Sequence, residues 1–195
     1  MSIMDVLSSQ LGPGTVQAVS RQLGIDEATA QQAIAAAVPM LTGGLARNAA
    51  RPGGAEAIHQ AVIRDHDGSL LDDVAGFLGQ GQTGMGAAIL GHVFGGNQNR
   101  AAAGLSQATG LDMSKASQLL MMLAPLVLAA LGRHTRQNGL DAGGISDILS
   151  SSHAQAQAQA PAGLGGILGS LLDQDHDGSV IDDVGGLLGG LLKGR

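Results

Sequence analysis

The stretch VQAVSRQLGIDEATAQQAIAAAVPMLTGGLARN, residues 16–48, recurs along the chain as AAGLSQATGLDMSKASQLLMMLAPLVLAALGRH, residues 102–134. Eight of the 33 aligned positions are identical. The shared positions are Ser20/Ser106, Gly24/Gly110, Asp26/Asp112, Ala30/Ala116, Gln32/Gln118, Pro39/Pro125, Leu45/Leu131 and Arg47/Arg133. In both copies a glycine, an apolar residue and an aspartate follow one another, which predicts the end of one helix and the N-cap of the next. The repeat therefore predicts an all-α, multihelical, internally duplicated fold.

A second pair of related segments follows the first. IRDHDGSLLDDVAGFLG (63–79) and DQDHDGSVIDDVGGLLG (173–189) are identical at 11 of 17 positions. Leu164, Ile167 and Leu168 precede the second copy at helical spacing, and Val184 and Leu187 follow it. Each acidic segment is therefore expected to be a loop between two amphipathic helices. The order of the segments is A-B-A′-B′.

This order divides the chain into four expected parts. They are a first helical repeat over 1–80 with its acidic loop at 63–73, a second helical repeat over 81–149, a low-complexity linker over 150–163, and a C-terminal helix–loop–helix over 164–195. The segment SSSHAQAQAQAPAG is interpreted as a flexible linker because of its low complexity.

Composition narrows the class of protein. The 195 residues include no cysteine, 44% hydrophobic residues and only 1% aromatic ones, so the core must consist of aliphatic side chains. No secretory signal is seen at the start of the chain, and the apolar run at 119–132 is interrupted by Pro125, so we expect a buried helix pair or a kinked core helix there, and a cytoplasmic protein. No catalytic motif is recognised, and we expect no enzyme activity.

The acidic residues are concentrated in two places. Nine of the sixteen acids lie in 63–73 and 173–183. In the second segment, acids at loop positions 1, 3 and 5, a glycine at 6 and a serine at 7 resemble the first two thirds of an EF-hand calcium loop. An EF-hand has a glutamate at position 12, where this chain has Val184, and acids at positions 10 and 11 resemble instead the shortened Excalibur type. We expect weak Ca²⁺ binding through Asp173, Asp175, Asp177, Ser179, Asp182 and Asp183.

The first segment is a weaker candidate for the same site. Its position 1 is Ile63, and Arg64 brings a positive charge close to the acids. The candidate ligands that remain are Asp65, Asp67, Ser69, Asp72 and Asp73.

Other interpretations of these patterns stay open. Ser69 and Asp72, like Ser179 and Asp182, have the spacing of a capping box, which needs no metal. His66 and His176 occupy position 4 of the two loops, where an exposed turn histidine is more common than a zinc ligand.

The A segments offer a further interpretation. Each has a predicted helix, a glycine-containing turn and a second helix, as in a DNA-binding helix–turn–helix. Basic residues are too sparse, however, for us to favour nucleic-acid binding. The Gly/Leu-rich helices could pack against the other half or against a second copy of the chain. Only Lys193 and Arg195 would give the terminal helix a basic face for a membrane surface, so we expect no membrane binding.

The LGID and TGLD turns, the Ala/Leu-rich helix with its proline, the GGISDIL stretch at 143–149 and the terminal GGLLGGLL resemble the YidB-like bacterial proteins, a family of unknown function. The resemblance extends over most of the chain. It implies a multihelical bacterial protein and brings with it no activity and no catalytic residues.

Overall fold

A computed structural model describes residues 12–66, 68–80 and 83–159. The helices in these ranges are α1 Pro13–Leu23, α2 Glu27–Ala49, α3 Gly54–Arg64, α4 Val74–Gly79, α5 Thr83–Phe94, α6 Gln98–Thr109, α7 Met113–Asn138 and α8 Ala142–Gln159. Short 3₁₀ helices cover Ser69–Asp73 and Gly95–Asn97. Within the described ranges there is no strand, so the prediction of an all-helical fold is confirmed for this part of the chain.

The turns between α1 and α2 and between α6 and α7 have the same construction. Gly24 and Gly110 take left-handed conformations, with φ of 59° and 73°, which glycine adopts without a steric penalty. After each glycine, an aspartate carboxylate accepts a hydrogen bond from a backbone N–H of the next helix, at 2.9 Å in both turns. The predicted helix ends and N-caps are thus confirmed.

Helix α7 forms the centre of the core. Its leucines are almost completely excluded from solvent, including Leu119, Leu123 and Leu126 at 0% exposure. It packs against α5, α6, α2 and α3, and Pro125 lies inside it without ending it. In the described ranges α7 is the one helix with the length and apolar composition to cross a membrane, and 78% of that apolar window is buried inside the protein. This burial agrees with the prediction of a buried segment, which forms one continuous helix rather than a pair.

Helix α8 corrects the expected linker. Residues 150–159 continue this helix, so the flexible linker predicted from residue 150 is wrong for that part, while residues 160–163 lie outside the described ranges. Ile145 and Leu149 are fully buried and Ser152 is 2% exposed, which gives α8 a buried stripe at i, i+4 and i+7 spacing. Alanine and glutamine are good helix formers, so the AQAQAQ repeat can extend the helix that this stripe anchors.

The first acidic segment lies between α3 and α4. The helix α3 and the 3₁₀ helix Ser69–Asp73 both pack against α7, whereas α4 packs against α1. Val62, Leu71, Val74 and Leu78 supply the buried contacts of this segment. The acidic loop of the first half of the chain is therefore held on the long helix of the second half.

Candidate functional site

The first acidic loop is fixed to the C-terminal part of α7 by Arg133. One guanidinium nitrogen, Nη2, donates a hydrogen bond to the carbonyl oxygen of Gly68 at 2.6 Å and another to the Asp72 carboxylate at 2.5 Å. The Arg133 side chain is 23% exposed, whereas Asp72 is 74% exposed. Because the carbonyl is the more enclosed partner, we attribute most of the stabilisation to that charge-assisted hydrogen bond rather than to the ion pair.

The loop backbone approaches α7 very closely beside Arg133. A Cβ atom placed on Gly132 would collide with the carbonyl oxygen of His66. Further along α7, Arg136 donates a hydrogen bond of 3.3 Å to the carbonyl of Ile63. Helix α7 therefore contacts the loop backbone at Ile63, His66 and Gly68, through the side-chain-free face of Gly132 and through two arginines.

The acidic residues of this loop have separate roles. Asp65, which follows α3, forms an exposed ion pair with Arg64 at 2.7 Å, and this hydrogen-bonded pairing lowers the pKa of Asp65. Asp72 contacts Arg133, as described above. Asp73 accepts a hydrogen bond from the backbone N–H of Gly76 at 2.9 Å and so caps α4. Two of the predicted ligands are thus directed to arginines and a third to a helix N-terminus.

The predicted capping box of Ser69 and Asp72 is wrong in its residues, although an aspartate does cap the helix that follows the loop. Asp73 is the N-cap of α4, and Ser69 is instead the first residue of the 3₁₀ helix. The shift arises because residues 69–73 form a tighter helical turn before α4 begins.

His66 lies in the same loop and is half-buried. Burial lowers its pKa, and the nearby Asp65 opposes that shift. Neutral imidazole is therefore favoured at physiological pH.

The structure brings together only some of the predicted site residues. Asp67 of the first loop lies outside the described residues, as do Asp173, Asp175, Asp177, Ser179, Asp182 and Asp183 of the second. Across the described ranges, no group of three or more histidine, aspartate or glutamate side chains is arranged to hold a metal ion. Calcium binding at either loop therefore stays a prediction.

Arg133 is a residue of this site that the sequence patterns did not connect with the loop. The available signal was its identity with Arg47 in the aligned A segments, since the one other arginine of those segments, Arg21, aligns with Gln107. The contact itself joins residues 61 positions apart, and no local pattern predicts such a pairing.

The helix–turn–helix surfaces can also be located. Glu27, Gln31 and Gln32 are exposed at the start of α2, and Ser114 is exposed at the start of α7. The only basic side chain in these two first turns is that of Lys115. This is little positive charge for contact with phosphate groups.

Comparison with known proteins gives a family and no activity. No curated protein and no solved structure matches the chain. One family model matches two stretches, residues 5–134 and 137–194, which together cover most of the sequence. The expectation of a bacterial family of unknown function is thereby confirmed, and the chain belongs to the bacterial proteins of unknown function grouped as DUF937.

Proposed function

We propose that this chain is a non-enzymatic helical protein with a structural or interaction role, built from two related halves, whose second acidic loop binds Ca²⁺ weakly and orders the C-terminal module. The observation that carries the proposal is the way the first loop neutralises its acids. Arg64 pairs with Asp65 and Arg133 pairs with Asp72. The second loop has Gln174 at the position of Arg64 and Asp173 at the position of Ile63. It therefore carries one more acid and lacks the neighbouring arginine.

This difference in charge supports calcium at the second loop rather than the first. Residues 173–183 contain five aspartates and no lysine or arginine. Carboxylates gathered at short range repel one another unless a cation or a hydrogen-bond donor compensates them. Oxygen ligands of this kind suit Ca²⁺. Because aspartate reaches less far than the glutamate that closes an EF-hand loop, we expect a Kd of about 10⁻⁵ M or weaker.

The relation between the two halves is supported by the matching turns. Ser20 Oγ donates a hydrogen bond to the carbonyl of Ile25 at 2.6 Å, and Ser106 Oγ donates one to the carbonyl of Leu111 at 2.5 Å. The same residue types therefore perform the same local function 86 residues apart.

Calorimetric titration of the full chain with Ca²⁺ tests the calcium site. We expect binding heat for the wild type and its loss in the double variant Asp173→Ala with Asp177→Ala. The matched control is Asp65→Ala with Asp67→Ala in the first loop, which should leave the heat unchanged. Absence of heat in the wild type, or heat that survives in the second-loop variant, would remove calcium from the proposal.

Circular dichroism with and without chelator tests the ordering effect. At Ca²⁺ near 100 times Kd, linkage adds about 2.7 kcal/mol to the stability of the binding-competent state. We therefore expect a gain of helical signal with Ca²⁺ in the wild type and none in Asp173→Ala with Asp177→Ala.

Two rival functions predict different results in solution. A nucleic-acid-binding protein would bind random duplex with an affinity that falls steeply with salt. A metal-free self-assembling protein would show a concentration-dependent mass in size-exclusion chromatography with light scattering, whether or not chelator is present.

A further inference from the structure

The end of α2 carries a group of basic side chains. Arg47 is half-buried, and its pKa is lowered by burial and by the nearby charge of Arg51. His153 of α8 lies against the same part of α2, since a Cβ atom on Gly43 would contact its ring. Burial, together with the charge of Arg47, lowers the pKa of His153. We call Arg47, Arg51 and His153 the α2 basic corner.

Arg47 occupies the position in the first half that Arg133 occupies in the second. The two arginines align in the A segments, which are offset by 86 residues. In the acidic segments, offset by 110 residues, Asp182 aligns with Asp72 and Gly178 aligns with Gly68. Asp72 and Gly68 are the two partners of Arg133. Each residue of the observed contact therefore has a counterpart of identical type elsewhere in the chain.

We propose that residues 173–183 of this chain dock on the α2 basic corner, with Arg47 donating hydrogen bonds to the Asp182 carboxylate and the Gly178 carbonyl. The inference rests on the relation between the two halves in the proposed function and requires no calcium, whose expected ligands also include Asp182. The two arginines then act reciprocally: the second half of the chain holds the loop of the first, and the first half holds the loop of the second.

Charge complementarity favours this occupant. The α2 basic corner presents two arginines, whose mutual repulsion is reduced when an anion lies between them. Residues 173–183 carry five aspartates and no lysine or arginine, and the other acidic loop is already engaged at Arg133. The negative charge of residues 173–183 is therefore complementary to the positive charge of the α2 basic corner.

The chain is long enough for this contact to form within one molecule. Helix α8 passes the α2 basic corner at His153 and continues to Gln159. The 14 residue steps from Gln159 to Asp173 span up to about 46 Å when extended at roughly 3.3 Å per residue. No exchange of segments between two copies is required by distance.

One difference between the two repeats makes the expected contact of Arg47 looser than the observed contact of Arg133. Ala46 stands where α7 has Gly132, and at Gly132 a Cβ atom would collide with the loop carbonyl. The backbone of the second loop must therefore lie farther from α2. The contact then depends more on the long side chain of Arg47 than on close backbone packing.

Hydrogen–deuterium exchange of the full chain, measured in EDTA, tests the proposal without calcium. In the wild type we expect protected amides within residues 173–189. Arg47→Gln and Asp182→Asn should each raise the exchange rate there by about tenfold or more, as expected for loss of a charge-assisted hydrogen bond. Arg21→Gln, on the exposed face of α1, is the matched control and should leave these rates unchanged.

The charge-swapped double variant Arg47→Glu with Asp182→Arg should restore the amide protection at 173–189 that either single substitution removes. Amides of α7 report whether Arg47→Gln disturbs the whole fold, and Asp182→Asn changes the segment without altering α2. Exchange at 173–189 that is the same in the wild type and Asp182→Asn would overturn the proposal. Protection that appears only at concentrations where light scattering shows a dimer would also overturn it, because the occupant would then be a second copy.

Failure of this experiment is distinguishable from failure of the calcium proposal. Loss of protection in Arg47→Gln with no calorimetric heat supports the docking contact alone. Heat on Ca²⁺ addition with no effect of Arg47→Gln or Asp182→Asn in EDTA rejects docking and leaves the calcium site standing.

Discussion

Arg133 joins the two halves of the chain through a single side chain. Its hydrogen bond to the Gly68 carbonyl is partly enclosed, whereas its contact with the Asp72 carboxylate is exposed to solvent. Exposed ion pairs contribute little because water and salt screen them. Hydrogen bonds from a charged group to an enclosed acceptor contribute more. The two partners of Arg133 should therefore respond differently to substitution.

We predict that Arg133→Ala lowers the free energy of unfolding by about 1.5–3 kcal/mol, since it removes a charge-assisted hydrogen bond to the Gly68 carbonyl, which keeps the backbone N–H of Leu71 as a donor. Asp72→Asn should cost less than about 1 kcal/mol. Urea denaturation followed by helical circular dichroism measures both. Arg100→Ala, at an exposed position of α6, is the control and should change stability by no more than about 0.5 kcal/mol. Equal stability of Arg133→Ala and Arg100→Ala would contradict the assigned role.

The N-cap of α7 gives a second prediction for a single residue. The Asp112 carboxylate accepts the backbone N–H of Lys115 at 2.9 Å. Asp112→Ala should lower the free energy of unfolding by about 1 kcal/mol, because that N–H loses its acceptor at the helix start. Asp147→Ala, at an exposed position within α8, removes the same charge without a cap. Thermal unfolding should separate the two variants, and an equal loss in both would show that charge rather than capping is responsible.

Helices α5 and α7 show how small residues set the spacing between elements. Gly86 lies so close to α7 that a Cβ atom would collide with the backbone of Met121. Gly84, in the same helix, is exposed and has open space around the Cβ position. The abundance of glycine in this chain therefore includes a packing role inside helices as well as a role in turns.

We predict opposite results for two glycine-to-alanine substitutions in α5. Gly86→Ala should destabilise the protein by about 1–3 kcal/mol, because the added methyl group forces α5 away from α7. Gly84→Ala should be neutral or stabilising by up to about 1 kcal/mol, because alanine favours the helix and nothing obstructs it. Chemical denaturation of both variants is the measurement. If Gly86→Ala were as stable as Gly84→Ala, the close approach of the two helices would be wrong.

The sequence predicted some helices and turns correctly and missed part of another helix. The glycine and aspartate at the helix ends predicted the turns at Gly24 and Gly110, and apolar content predicted the buried segment around Pro125. Both signals act within a few residues. The helical end of α8 was missed because low complexity was interpreted as flexibility, although alanine and glutamine favour helix and Ile145 and Leu149 anchor it. Composition alone does not distinguish a linker from a helix that has one buried stripe.

At the scale of the whole molecule, the candidate site depends on a contact that sequence patterns do not encode locally. The spacing of the acidic residues identified them as candidate metal ligands, and the predicted ends of the flanking helices suggested helix caps. The arrangement of the halves determines that Asp72 meets Arg133 rather than a cation. This pairing depends on how α3 and the 3₁₀ helix pack on α7, which is a tertiary property. A repeat of the same residues in the other half is the one sequence feature that carries such tertiary information.

Buried and half-buried histidines in different parts of the fold make its stability depend on pH. Burial is the first cause that lowers the pKa of His66, His134 and His153 below the ordinary value of 6.5. The unfolded chain therefore binds protons more readily than the folded protein as pH falls below about 6.5. As pH falls from 6.5 to the lower pKa values of the folded state, the free energy of unfolding should decrease.

We predict that the free energy of unfolding falls between pH 7 and pH 5, and that His153→Gln makes this fall shallower, because one of the groups that resists protonation in the fold is removed. The slope is the relevant quantity, since the substitution also changes packing against Gly43 and lowers stability at every pH. Ile145→Val, which loosens the buried face of α8 without removing a titrating group, is the control and should keep the wild-type slope. Urea denaturation at a series of pH values measures these slopes. A slope in His153→Gln that equals those of the wild type and Ile145→Val would show that protonation of His153 is not linked to folding.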